Sequence, residues 1–98
     1  NFYWASRMIA AMADASYSKS IFHIERYQER VMSKGHEYIN QYDELLSKES
    51  DAEKRMQLRQ EANQKIADMV KKETQDTLNK VLYELSNQMK NAYSRSDA

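Results

Sequence analysis

Between Ile21 and Leu45 the chain places Ile21, Ile24, Gln28, Val31, Gly35, Tyr38, Tyr42 and Leu45 at alternating intervals of three and four, and six of these eight residues are apolar or aromatic. That rhythm lines one face of a helix, as a coiled-coil seam does, and fits strand alternation poorly. Further along, Met56, Ile66, Val70, Val81, Leu85, Met89 and Ala92 form a slowly drifting stripe that Leu78 and Leu82 widen. Between the two patterns, Ser50 followed three residues later by Glu53 matches a capping box, which puts the turn at Ser47-Lys48-Glu49. Acids precede bases by four residues at Glu61 and Lys65, Asp68 and Lys72, and Asp76 and Lys80, a spacing that suits a solvated outer face.

With no proline and one glycine, nothing else interrupts the helical signal. Gly35 would end a helix by turning left-handed, but the spacing runs through it without losing phase, which predicts continuity. The expected fold is all-α: a long antiparallel helical hairpin, coiled-coil-like, with helices over about residues 2–46 and 51–94 in one domain spanning 1–98. A break at Gly35 gives the alternative, a compact three-helix bundle.

Residues 2 to 22 differ from the rest in being apolar almost all round, with charge only at Arg7, Asp14 and Lys19. A helix of that kind is normally buried. A two-helix hairpin covers one stripe per helix and has difficulty offsetting its ordering entropy alone, so a four-helix-bundle dimer or a helical protein partner is expected. Phe2, Tyr3, Trp4, Met8, Ile9, Met12, Tyr17 and Ile21 are the interface candidates. The Phe2-Tyr3-Trp4 cluster also suits the boundary between lipid headgroups and chains, which makes a membrane-interacting hairpin, a secreted effector or pore component, the second reading.

Composition narrows the chemistry. Lysine plus arginine and aspartate plus glutamate both number 15, split six to seven in residues 1–49 and nine to eight in residues 50–98. No basic or acidic tail exists to drive nucleic-acid binding. Cysteine is absent, removing disulfides, thiolate catalysis and cysteine metal sites. A start at Asn1 suits a removed leader or a trimmed end equally, so the sequence assigns no compartment. Neither His23 nor His36 has a glutamate three residues before it, as helical di-metal sites require, and each is expected at the surface. Ser16, Ser18 and Ser20 lack a nucleophile elbow, and a single glycine rules out a phosphate-cradling loop. No catalytic set, metal site, cofactor or small-molecule substrate is therefore expected. The functional expectation is a non-enzymatic interaction or assembly module acting through its apolar stripes. The layout resembles small secreted helical-hairpin proteins with a Trp-x-Gly turn, but the turn here has neither residue, so no function transfers with it.

Overall fold

The computed structural model describes residues 2–96, and the side chains of residues 3–11 and 13–91. Two helices account for these residues, α1 over Phe2–Lys48 and α2 over Ala52–Ser96, and the fold is an all-α helical hairpin. No strand occurs among the described residues. α1 passes through Gly35 with no positive φ, so the three-helix alternative is not adopted.

The turn is tighter and later than the capping-box reading. α1 continues through Lys48, and only Glu49 to Asp51 leave helical conformation. Asp51, not Ser50, caps α2: its Oδ2 accepts the Lys54 backbone N–H at 3.1 Å, the third amide of the helix. Aspartate outcompetes serine here because its charge also meets the positive end of the helix dipole. Arg55 ties the two helices at this point. Its Nη1 donates to the carbonyl oxygens of Leu46 and of Glu49, satisfying acceptors that the end of α1 leaves without intrahelical partners.

Two compact units make up the chain, each a pair of helical segments. In Tyr27–Gln75, which contains the turn, the seam runs through Val31, Gly35, Tyr38 and Tyr42 on α1 and Leu58, Ala62, Ile66, Met69 and Glu73 on α2. Tyr42 and Met69 are its buried apolar side chains. In the other unit, residues 1–26 with 76–98, the covered positions among the described side chains are Met8, Ala15, Ser16, Ser20, Ile21 and His23 on α1 and Thr77, Val81, Glu84, Asn87 and Gln88 on α2. That seam is mostly polar.

Several expected seam residues therefore lie outside. Ile24, Gln28 and Leu45 on α1, and Met56, Leu78, Leu82, Leu85 and Met89 on α2, are exposed. On α2 the exposed Leu78, Leu82 and Leu85 each stand one position beyond a covered residue, Thr77, Val81 and Glu84, so the inward face of the second unit is not the apolar one. The Ala92 side chain lies outside the described residues.

Gly35 provides a direct check of the first unit. A Cβ built there would meet only Met69 Cε, at 4.0 Å, an ordinary van der Waals distance. Gly35→Ala is expected to stabilise the chain by about 0.5–1 kcal/mol, because alanine restricts the unfolded chain at a helical position. A urea titration reads this, and a lower midpoint would mean that the seam is tighter at Gly35 than described.

Candidate functional site

The most organised polar constellation is in the turn-containing unit, where α2 presents Glu73 to α1. Glu73 falls on the same face as Ile66 and Met69, so packing carries its carboxylate inward, and the residue is 5% exposed. Such a burial requires partners. Arg30 Nε donates to Oε2 at 2.8 Å and Lys34 Nζ to Oε1 at 2.5 Å. These charge-assisted bonds, from Lys34 first and Arg30 second, hold the Glu73 pKa down to about 2. One helical turn away, the Tyr27 and Thr74 hydroxyls share a hydrogen bond at 2.8 Å.

Beside this cluster lies an open groove of about 520 Å³, lined by Lys34, Glu37, Tyr38, Lys65, Asp68, Met69, Lys72 and Glu73. The Lys65 ammonium sits 5.5 Å from the centroid of the Tyr42 ring, and its hydrogen bond with Tyr42 raises its pKa. Lys65 also pairs with Glu61 at 3.8 Å, as the spacing predicts. The groove thus carries both signs of charge, with its ammonium groups near carboxylates. Its lining side chains include no serine, threonine or cysteine, the usual nucleophiles of covalent catalysis.

The other unit gathers a second cluster around Glu84. Its Oε2 lies 3.3 Å from Lys19 Nζ and its Oε1 lies 3.8 Å from His23 Nε2. Oε2 is buried and makes no well-directed hydrogen bond, so the pairing with Lys19 is chiefly Coulombic. His23 is therefore a half-buried seam residue facing a carboxylate, which corrects the expectation of a surface histidine; His36 is exposed as expected. Ser16 and Ser20 are covered by the same seam, but no hydrogen bond joins a serine hydroxyl to His23 among the described residues. No group of three or more histidine, aspartate or glutamate side chains is placed to hold a metal among the described residues.

The candidate interface residues do not converge on one feature. Tyr3, Trp4, Ile9 and Tyr17 are exposed, while Met8 and Ile21 are half-buried. The side chains of Phe2 and Met12 lie outside the described residues. Trp4, Arg7 and Met8 line a shallow depression, and the Arg7 guanidinium stands 5.8 Å from the Tyr3 ring centroid.

With this geometry in view, similarity to known proteins supplies what the side chains alone do not. The chain is 42% identical over 99 residues, 99% of its length, to proteins named Probable dipeptidase A from Streptococcus pyogenes serotypes M1 and M3. It is 30% identical over 134 residues, again covering 99% of its length, to a protein named Dipeptidase from Bifidobacterium longum. It spans only 20% of the length of the streptococcal proteins and 25% of the bifidobacterial one. No family model and no solved structure matches it.

These relatives overturn two expectations. The reading as a non-enzymatic interaction or assembly module, with its membrane-interacting alternative, gives way to similarity with proteins named as peptidases. So does the reading of the protein as no enzyme. The reason is one of scope: a segment without a catalytic set says nothing of chemistry carried by a polypeptide five times as long. No helix among the described residues is long and apolar enough to cross a membrane.

The Arg30, Lys34 and Glu73 cluster also escaped the sequence pattern. One signal was available: Glu73 stands where the Ile66 and Met69 stripe calls for an apolar residue. A carboxylate in a seam implies basic partners across it, although 39 and 43 residues of chain separate them.

Proposed function

We propose that this chain is the helical-hairpin portion of a dipeptidase, a peptidase that hydrolyses the single peptide bond of dipeptides, and that its part in the enzyme is architectural. The observation that carries this reading is the 42% identity running across 99% of the chain to proteins named Probable dipeptidase A. The ion pairs of Glu73 with Arg30 and Lys34, which join one helix to the other, support an architectural part.

The test is a graft in which this chain replaces the matching fifth of the streptococcal protein. The graft is expected to release free amino acids from a panel of unblocked dipeptides within about tenfold of the parent, since a 1.4 kcal/mol perturbation of the active geometry is one factor of ten. The 98-residue chain by itself is expected to release none. A graft that is monodisperse and helical by circular dichroism, yet inert toward dipeptides that the parent cleaves, would overturn the proposal.

A further inference from the structure

In the unit formed by residues 1–26 and 76–98, the helices meet along the wrong line for their chemistry. The covered positions on α2 include Thr77, Val81, Glu84 and Gln88, whereas Leu78, Leu82, Leu85 and Met89, each one residue further on, are between 48% and 57% exposed. Those four residues repeat at intervals of four, three and four, the spacing of a seam. α1 behaves alike. Tyr17 and Ile24 are exposed, each one residue beyond the buried Ser16 and the half-buried His23, and Ile21 is half-buried like Ser20 before it.

One residue is 100° around a helix. The two helices run in opposite directions, so equal rotations along each chain swing the two stripes to the same side of the pair. Tyr17, Ile21 and Ile24 then stand alongside Leu78, Leu82, Leu85 and Met89 as a single apolar face. Together they leave on the order of 600 Å² bare, at or above the largest patch that ordinary monomers expose. Elsewhere on α2, Asp76, Lys80, Tyr83 and Lys90 meet water.

We infer that this face seats the helix pair against apolar surface of the remaining peptidase polypeptide, so that the polar seam joins the helices to each other and the apolar stripes join them to the enzyme body. The inference rests on the dipeptidase reading. What selects this occupant is length: the chain spans 20% of the streptococcal relatives, so four-fifths of such a polypeptide lies outside it.

The chain's lack of cysteine makes the test clean within this segment. Leu82→Cys and Tyr83→Cys are made separately, in the 98-residue chain and in the graft, and their reaction with a maleimide is followed by peptide mass spectrometry. Adjacent positions report surfaces 100° apart on the helix. In the isolated chain both thiols are expected to react at similar rates. In the graft, Leu82→Cys is expected to slow at least tenfold while Tyr83→Cys is unchanged, and Met89→Cys repeats the measurement should Leu82→Cys prevent folding. Equal rates at positions 82 and 83 in the graft would overturn the inference. So would protection of Leu82→Cys in the isolated chain that rises with its concentration, which would assign the face to a second copy. Dipeptide hydrolysis measured on the same graft keeps the two readings apart: a protected but inactive graft sinks the peptidase reading alone, and an active, unprotected one sinks the docking face alone.

Discussion

Tyr42→Ala is expected to destabilise the turn-containing unit by about 3 kcal/mol, the usual cost of deleting a buried aromatic ring. Tyr42 is 5% exposed, and with Met69 it makes up the buried apolar material of the described residues. A thin pair of helices has little else to absorb the vacancy. Collapse around it is limited by the helical backbones on either side, so the cavity term adds to the lost transfer energy. Tyr42→Phe separates the ring from its hydroxyl and is expected to cost under about 1.5 kcal/mol, because a near-isosteric change preserves packing. Amide exchange across residues 27–75 reads both variants. Equal exchange in the two would show that the ring is not a principal support of this unit.

Glu73→Gln is expected to cost about 2 kcal/mol at neutral pH, since it removes two charge-assisted hydrogen bonds while leaving Arg30 and Lys34 partly solvated. The change also alters the acid response. The folded Glu73 pKa is about 2 against an ordinary 4.5. Above the ordinary value the carboxylate is ionised in both folded and unfolded chains, and its contribution is complete. As the pH falls below 4.5 the unfolded chain takes up a proton that the folded chain refuses, so stability is lost progressively until about pH 2. Subtracting the variant's pH profile from that of the native chain removes the other carboxylates. The difference is expected to narrow between pH 4.5 and 2, and parallel profiles through that window would refute the pairing.

Much of the architecture was legible in the residues. The three-four rhythm through Gly35 gave a continuous α1, and the polar stretch around residues 47–51 gave the reversal. Which face of each helix turns inward was less legible, because apolar spacing marks a stripe and does not say what covers it: Tyr38 and Tyr42 of the repeat are covered, whereas Ile24 and Leu45 are exposed. The cap was misjudged for a local reason: Ser50 and Asp51 are adjacent, and the pattern with Glu53 favoured the serine although the carboxylate makes the bond. The Arg30, Lys34 and Glu73 cluster needed the pairing of two distant segments before it could be seen. The likeness to dipeptidases was not readable from the residue pattern, because it rests on identity to longer proteins and on no short motif within this chain.

The methionines are graded in shelter, and this has a chemical consequence. Met69 lies 9% exposed opposite Gly35, whereas Met32, Met56 and Met89 are all more than half exposed. A dilute peroxide reaching the bare hairpin would convert the outer thioethers to sulfoxides well before the inner one. At Met89 that oxygen would set a strong dipole at one end of the greasy strip, so an oxidised hairpin would adhere less firmly to whatever it rests upon while its own helices stayed zipped.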